Sequence, residues 1–259
     1  MSADWLERTE LLLGKEKLEK LKNSNVLVAG LGGVGAYAAE SLCRAGVGKM
    51  TIIDSDVINI SNINRQLLAH NSSVGKGKAL LMAERLLAIN PELDLTTHAI
   101  YIKDEISDEI LNEKFDYVVD AIDTLAPKIF FIRRAVLNGL KIVSSMGAGG
   151  KTDPSKIMVS DFSDSYNCKL AKLLRKKLSS FGIKSGFKVV FSSELIDENS
   201  YIQAQNERNK KTTVGTISYL PAIFGLFCAS VVIRELIDEK IELEKSPLKM
   251  ARKRKHPCI

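Results

Sequence analysis

The sequence predicts an α/β fold in which a mostly parallel sheet is covered by helices on both faces. Short apolar runs, several of them ending in glycine or aspartate, alternate with helical patterns from residue 25 to residue 145. Such alternation is typical of βαβ units. The chain has 259 residues, of which 45% are apolar and 26% charged, the balance of a soluble globular protein. No linker composition interrupts it, so we expect one domain over 1–259, with a core at 1–150 and an elaboration at 151–259.

The core elements follow from the pattern in chain order. Five strands are predicted, a buried one at 25–30 and others at 49–54, 94–99, 116–120 and 141–145. Helices are predicted at 36–45, 76–90 and 128–138. The second of these helices ends before Pro91, because proline cannot continue a helix.

The pattern changes after Gly150. Strands are predicted at 157–160 and 189–192, and an amphipathic helix over 170–178. The polar stretch 197–211 is predicted to be a loop. Residues 212–233 carry no charge for 22 positions, which is the length of a membrane span. Pro221, Gly215 and Gly225 favour a helix buried against the sheet, and contact with a membrane is the alternative.

Charge and cysteine content limit the classes of protein. The net charge of +6 is concentrated in residues 169–188, with seven basic side chains and no acidic one, and in residues 249–255, with five and none. These segments are either a polyanion-binding surface or a solvated helix face and tail. The cysteines form no C-x-x-C pair, so no zinc site is expected; they are Cys43, Cys168, Cys228 and Cys258. Unclustered thiols and an N-terminus without an apolar leader indicate the cytoplasm.

A glycine loop follows the first predicted strand. The run from Gly30 to Gly35 reads Gly-Leu-Gly-Gly-Val-Gly and precedes a helix. Glycines allow a sharp turn close to a ligand, and a helix N-terminus favours phosphate. Asp54 ends the next strand, where a carboxylate can accept ribose hydroxyls. The sequence therefore predicts a Rossmann-like, doubly wound sheet that binds a nucleotide.

Charged residues near this loop point to a triphosphate rather than to a nicotinamide. Arg65 lies in the segment 61–66, which reads Ser-Asn-Ile-Asn-Arg-Gln, and Lys78 opens the next helix. Cations of this kind suit a reaction in which an α-phosphate is attacked and pyrophosphate leaves. Asp120 and Asp123 stand at the end of the fourth strand, where a carboxylate can hold Mg²⁺ on the phosphates.

These motifs resemble the adenylation domain of ubiquitin-activating-like enzymes. Within that superfamily, four further features are similar to the tRNA threonylcarbamoyladenosine dehydratase branch: Arg8–Gly14, Gly147–Pro154, the basic helix over 170–178, and Phe191-Ser-x-Glu194. The sulfur-carrier activators of the superfamily usually hold zinc with two C-x-x-C pairs, which this chain lacks. The alternatives are an activator of a ubiquitin-like sulfur-carrier protein and a non-catalytic scaffold; a dehydrogenase is more distant.

The resemblance implies a role for individual residues. Those implied to contact ATP are Gly30, Gly32, Gly33, Gly35, Asp54, Ser61, Asn62, Arg65, Lys78, Asp123 and Thr124. Arg65, Lys78 and Asp123 are also implied to act in catalysis, Asp123 through Mg²⁺. Arg8 is implied to reach the phosphates of the partner protomer, so that the active unit is a homodimer.

The branch also implies a substrate, which is tRNA bearing threonylcarbamoyladenosine next to the anticodon. ATP-dependent cyclisation of that nucleoside through an adenylated carboxylate is the implied reaction. Candidate tRNA contacts are Lys169, Lys172, Arg175, Lys176 and Lys177, with 249–255 as a weaker one. A cysteine desulfurase is a possible sulfur-transfer partner. Cys168 is either a reactive thiol or a plain loop cysteine, and the absence of a nearby histidine favours the latter.

Overall fold

The computed structural model describes residues 4–102, 104–196, 201–203 and 212–247. Its strands are β1 (Asn25–Ala29), β2 (Lys49–Ile53), β3 (Asp94–His98), β4 (Tyr117–Asp120), β5 (Ile142–Ser145), β6 (Ile157–Asp161), β7 (Lys188–Ser192), β8 (Tyr201–Gln203) and β9 (Thr212–Val214). Its helices are α1 (Glu7–Leu13), α2 (Lys15–Lys22), α3 (Gly35–Arg44), α4 (Lys78–Ile89), α5 (Asp104–Leu111), α6 (Leu125–Leu137), α7 (Lys169–Leu178) and α8 (Tyr219–Leu236).

Seven strands form one sheet in the order β3-β2-β1-β4-β5-β7-β6. All neighbours are parallel except β6, which pairs antiparallel with β7 at the edge. The predicted doubly wound α/β class is therefore confirmed. β8 and β9 form a separate antiparallel pair.

Each face of the sheet carries its own apolar core. Along β1, Val26 and Val28 pack with α3, α4 and α8, whereas Leu27 and Ala29 contribute to the core of α5, α6 and α7. This alternation follows from the two-residue period of a strand. It explains why β1, which is covered on both faces, reads as a continuous apolar run.

The uncharged stretch 212–233 does not form one helix. Its first residues form β9, and α8 begins only at Tyr219, with Pro221 in the first turn, where proline is tolerated. Among the described residues, α8 is the one helix long and apolar enough to cross a membrane, yet it packs on α3. Gly225 permits that contact, because an added Cβ would lie 2.3 Å from the Val34 carbonyl oxygen.

Other elements differ from the predicted ones by more than their ends. The predicted loop at 197–211 contains β8, and the rest of it lies outside the described residues. α1, α2 and α5 have no counterpart among the predicted elements. These helices are short, of seven or eight residues, and so present little periodicity to a sequence window.

Candidate active site

The carboxyl ends of the parallel strands meet at one edge of the sheet, where the predicted nucleotide residues lie. The glycine loop follows β1, Asp54 follows β2, and Asp120 ends β4. The strand order reverses between β1 and β4. On one side of β1 lie β2 and β3, and on its other side lie β4, β5 and β7. Open α/β sheets bind ligands in the crevice that forms at such a reversal.

Close backbone contacts require two glycines of the loop. Gly30 has a φ of +89°, and a Cβ added there would lie 2.8 Å from the carbonyl oxygen of Ala121. A Cβ on Gly35 would lie 1.7 Å from the carbonyl oxygen of Gly30. The loop is thus pressed against the end of β4. The positive end of the α3 dipole lies at the loop, where it favours a phosphate.

The middle glycines of the loop border other parts of the site. A Cβ on Gly33 would lie 3.0 Å from the Cβ of Pro221 in α8 and 3.6 Å from the Cγ of Arg65. A Cβ on Gly32 would lie 3.7 Å from the Nε2 of Gln66. The loop is therefore enclosed by the segment 61–66 and by the start of α8.

Asp54 holds the start of the loop. Its Oδ2 accepts the backbone N–H of Leu31 at 2.6 Å, and its Oδ1 accepts that of Asp56 at 2.8 Å. Burial raises the pKa of this carboxyl, and the nearby Lys78 and the two N–H donors oppose the rise. A contact with ribose would be made by a carboxylate that is already fixed in position.

Lys78 is held at the site by a residue to which the sequence prediction assigned no role. Its side chain is only 6% exposed, and its Nζ donates to the Oδ2 of Asp56 at 2.8 Å. The backbone N–H of Lys78 also donates to the Asp56 carbonyl, at 2.9 Å. The ammonium group therefore has a defined place near the carboxyl end of β2.

The segment 61–66 forms a turn beside the loop. Asn62 is buried and its Oδ1 accepts the backbone N–H of Asn59 at 3.1 Å. The half-buried guanidinium of Arg65 donates to the carbonyl of the exposed Ser61 and to the Oδ1 of Asn64, each at 2.9 Å. These contacts fix Arg65 at the border of the glycine loop, where a phosphate would meet its positive charge.

Gln66 is a polar residue of this site that the sequence prediction left without a role. It is buried, and its Oε1 accepts no hydrogen bond from the described residues. Because its amide faces Gly32, a group bound on the loop would meet a polar side chain there. A buried amide oxygen without a donor costs free energy, so this arrangement suits a site that receives a polar ligand.

Asp120 and Asp123 have different environments. Asp120 is fully buried in an ion pair with Lys128, with 2.7 Å between Oδ2 and Nζ, so its carboxylate is not exposed to the crevice. Asp123 is exposed in the turn before α6, and Thr124 is the residue from which that helix starts. No cluster of three metal-binding side chains occurs in the described part of the chain. Asp123 is a residue that could hold Mg²⁺ together with nucleotide oxygens, which are the hard donors this ion prefers.

Comparison with known proteins identifies the family of this chain. Residues 6–256 match the model of the ThiF family. The chain belongs to the ThiF family. It is 38% identical over 245 residues to a tRNA threonylcarbamoyladenosine dehydratase of Bacillus subtilis (strain 168), a match that covers 92% of this chain and 96% of the relative. The structure of an Escherichia coli tRNA N6-threonylcarbamoyladenosine dehydratase in complex with ATP has a TM-score of 0.83 and 32% identity, over 97% of this chain and 98% of that chain.

Another relative resembles only part of the chain. An adenylyltransferase and sulfurtransferase of Vanderwaltozyma polyspora is 34% identical over 155 residues, which cover 60% of this chain and 35% of that protein. The dehydratases match the elaboration after residue 150 as well as the core. The predicted family is thus confirmed, and the carrier-protein activator is not favoured.

In this ThiF-family chain Arg8 lies away from its own glycine loop. α1 carries Arg8 and has no buried residue. Leu11 of α1 lines a surface hollow together with Gly48, which precedes β2, and Asn90, which precedes β3. These positions mark the amino ends of the strands, whereas the glycine loop lies at the carboxyl ends. Within one chain, Arg8 therefore belongs to the opposite edge of the sheet.

The basic helix α7 of this ThiF-family chain has an inner and an outer side. Ala171, Leu174 and Leu178 are buried. Lys169, Lys172, Lys176 and Lys177 are exposed. Arg175 differs from the other four predicted tRNA contacts, because its half-buried guanidinium donates to the Oγ of Ser165 and to the Phe162 carbonyl. Burial lowers its pKa. The other basic segment, 249–255, lies outside the described residues.

The motifs that distinguish the second half connect two loops. Glu194, which follows β7, accepts the backbone N–H groups of Thr152 at 3.0 Å and of Asp153 at 2.8 Å. The buried Lys151 donates to the Ser192 carbonyl, and burial lowers the pKa of its ammonium. Cys168, predicted to lie in a polar loop, is instead 6% exposed and stands at the start of α7. It does not present an accessible thiol.

Proposed function

We propose that the chain is an ATP-dependent tRNA threonylcarbamoyladenosine dehydratase. The observation that carries the proposal is the match to the Bacillus subtilis dehydratase over nearly the full length of both chains. The cations of the crevice support it, since Arg65 and Lys78 stand around a glycine loop at the switch point of the sheet. The Escherichia coli relatives whose structures contain ATP and AMP support a reaction that uses ATP and forms AMP.

The proposed first step is adenylation of a carboxylate. An oxygen of the threonyl carboxylate of the modified adenosine attacks the α-phosphorus of ATP, and the bond to the β-phosphate breaks, so that pyrophosphate leaves. Arg65 stabilises the negative charge that builds up on the α-phosphate, and Lys78 stabilises the leaving pyrophosphate. Asp123 is the residue that would hold Mg²⁺, which neutralises phosphate charge when bound. Asp54 would orient the ribose.

The proposed second step is ring closure within the substrate. The carbamoyl oxygen attacks the activated carbonyl carbon, the bond to AMP breaks and a carbamoyl N–H proton is lost, so that an oxazolone forms with net loss of one water. Because both reacting groups belong to one side chain, positioning supplies much of the rate and the protein needs no nucleophile. This agrees with the burial of the described thiols, Cys43, Cys168 and Cys228. A sulfur-transfer partner stays a prediction.

The electrostatics of α7 support tRNA as the macromolecular substrate. Lys169, Lys172, Lys176 and Lys177 form an exposed basic face on an otherwise well-packed helix. Phosphate contacts supply most of the affinity in RNA binding that does not read bases. We place tRNA on this face and expect the protein to act in the cytoplasm.

The experiment that tests the function is mass spectrometry of tRNA nucleosides after incubation with the purified protein, ATP and Mg²⁺. The substrate is tRNA that carries threonylcarbamoyladenosine. We expect the nucleoside to lose the mass of one water, with AMP and pyrophosphate released. Arg65→Ala should reduce the rate by about a hundredfold or more, because it removes charge stabilisation from the transition state. Arg44→Ala is the matched control, since Arg44 is exposed on α3 and pairs with Glu40.

An unchanged nucleoside would reject the dehydratase. Exchange of pyrophosphate into ATP in the presence of a carrier protein would then favour the carrier-protein activator. The absence of both reactions would favour the non-catalytic scaffold.

The position of Arg8 supports an active homodimer. Leu11 and Leu12 of α1 are 88% and 82% exposed, and Ile60 beside the 61–66 turn is 75% exposed. A second copy that placed its α1 against this turn would cover these apolar side chains and bring its Arg8 towards the phosphates. A two-fold axis would then complete both sites at once.

A mixture of two inactive variants tests this arrangement. Arg8→Ala and Arg65→Ala should each be inactive alone, and after mixing and subunit exchange part of the activity should return. It returns because a mixed dimer keeps one site with both arginines. Inactivity of the mixture, when exchange has been shown by light scattering with a tagged copy, would place both arginines in one chain's site.

A further inference from the structure

A buried ion pair lies beneath the proposed ATP site, where no phosphate could reach it. Asp120 ends β4 and Lys128 lies in the first turns of α6. Both side chains have no exposed surface, and 2.7 Å separates the Oδ2 of Asp120 from the Nζ of Lys128. Buried ion pairs contribute little net stability, because desolvation of the two charges offsets their attraction. Its placement therefore calls for another explanation.

The pair holds the backbone between its two members. The Oδ1 of Asp120 accepts the N–H of Ile122 at 3.1 Å, and the Nζ of Lys128 donates to the Ile122 carbonyl at 3.1 Å. The Oγ of Ser144 in β5 donates to the Oδ2 of Asp120 at 2.6 Å and fixes the carboxylate from the other side. Both backbone polar groups of Ile122 are thus held by side chains of the pair.

The clamped residues support the glycine loop and carry Asp123. The Ala121 N–H donates to the Ala29 carbonyl at 2.8 Å, and the Ala121 carbonyl lies against Gly30. Asp123 follows Ile122 directly. The turn then enters α6, where the N–H of Lys128 donates to the Thr124 carbonyl at 3.2 Å. The ion pair therefore joins the two ends of the segment from Asp120 to Lys128, and Asp123 lies on the exposed side of that segment.

We infer that Asp120 and Lys128 are positioning residues for the nucleotide and its Mg²⁺. They hold Asp123 and the floor of the glycine loop in the geometry that the phosphates require, and Ser144 supports them. This role rests on the proposed function, since it assumes that MgATP occupies the crevice. A hydrophobic pair could fill the same volume but could not hold the N–H and the carbonyl of Ile122.

The first test is the double substitution Asp120→Asn with Lys128→Met. It leaves no buried charge, and the asparagine can still accept the Ile122 N–H and donate to Ser144. We expect a folded protein with a melting temperature near that of the wild type. We also expect about tenfold weaker binding of MgATP by calorimetry and a several-fold higher Mg²⁺ concentration for half-maximal turnover. A folded double variant with wild-type values of both would overturn the inference.

A pair of neighbouring serines provides a milder test that does not depend on the double variant folding. Ser144→Ala removes the support of Asp120, whereas Ser145→Ala removes a buried hydroxyl of the same strand that donates to the Met146 carbonyl at 3.2 Å. We expect MgATP binding about threefold weaker for Ser144→Ala and unchanged for Ser145→Ala. Equal effects of the two substitutions would overturn the inference.

These measurements separate the inference from the proposed function. Binding of MgATP is measured without tRNA, so a wild type that binds the nucleotide but leaves threonylcarbamoyladenosine unchanged would reject the dehydratase alone. If the wild type converts the nucleoside and the double variant has an unaltered Mg²⁺ requirement, only the positioning role is rejected.

Discussion

We call the edge of the sheet that carries the glycine loop, Asp54 and Lys78 the nucleotide edge. It differs from the basic helix α7 in how its charged groups are held in place. At the edge, Lys78 is nearly fully buried and fixed to Asp56, and Asp54 is fixed by two backbone N–H groups. On α7, Lys172 and Lys176 are exposed on a helix that is anchored by its other side. The first arrangement suits chemistry on one phosphorus atom, because transition-state stabilisation requires groups that are already in place. The second suits a long polyanion, which is attracted over several ångströms without a fixed contact.

The strongest test of this contrast is a substitution that the nucleotide edge cannot accommodate. Gly35→Ala places a Cβ 1.7 Å from the Gly30 carbonyl oxygen, a backbone atom that cannot turn aside. We expect a loss of about 3 kcal/mol or more in the free energy of unfolding, together with loss of ATP binding. Urea denaturation and calorimetry measure the two effects.

Gly77→Ala is the matched control for that substitution. Gly77 also precedes a helix, its φ is −65°, and an added Cβ would come no closer than 3.8 Å to Leu80. It should therefore be tolerated. If Gly35→Ala were as stable as the control and bound ATP, the glycine loop would be far more adaptable than its contacts indicate.

The contrast also determines how much the sequence could predict. The glycine loop and Asp54 were predicted because they directly follow strand ends, a relation that local backbone rules impose, and Lys78 was predicted because it opens the next helix. The roles of Asp56 and Lys128 were not predicted, since they depend on which side chain each residue contacts in the folded chain. Of the two carboxylates at the end of β4, the sequence does not show that Asp120 is paired with Lys128 and buried.

The second half was harder to predict because its contacts join distant residues. Glu194 holds Thr152 across 42 positions, and the Gly150 N–H donates to the Gly215 carbonyl at 2.7 Å. No short-range pattern indicates such pairs. Arg175 illustrates the consequence: its charge matched the basic face, but its helical position lies between the buried and exposed sides, so it bonds inward to Ser165.

Substitutions on α7 should separate the two kinds of basic residue. Lys172→Ala with Lys176→Ala should weaken tRNA binding about tenfold and lower the slope of log affinity against log salt by about 2, with stability unchanged. Arg175→Ala should cost about 1–2 kcal/mol of stability, because it removes a half-buried side chain and its hydrogen bonds to Ser165 and the Phe162 carbonyl. Lys114→Ala with Lys141→Ala is the control, since both residues are exposed near the amino ends of the strands. An equal loss of tRNA affinity in this control would reject the assignment of α7.

The smallest effect expected is a change of stability with pH at Asp54. Burial raises the pKa of this carboxyl in the folded protein, although Lys78 and the N–H groups of Leu31 and Asp56 favour its charged form. The folded state then binds the proton more tightly than the unfolded state does. The stability that Asp54 contributes is therefore fully present below the unfolded pKa and declines as the pH rises through the folded pKa. Asp54→Asn does not titrate and keeps one acceptor for the two donors.

Urea denaturation of both proteins without nucleotide, from strongly acidic to neutral pH, measures this effect. The stability of the wild type relative to Asp54→Asn should be greatest in acid and should fall as the carboxyl ionises. A difference that grew with pH would mean that the two N–H groups and Lys78 outweigh burial. Asp54 would then be stabilised as an anion before any ribose arrives, and the nucleotide edge would hold its negative charge as firmly as it holds the positive charge of Lys78.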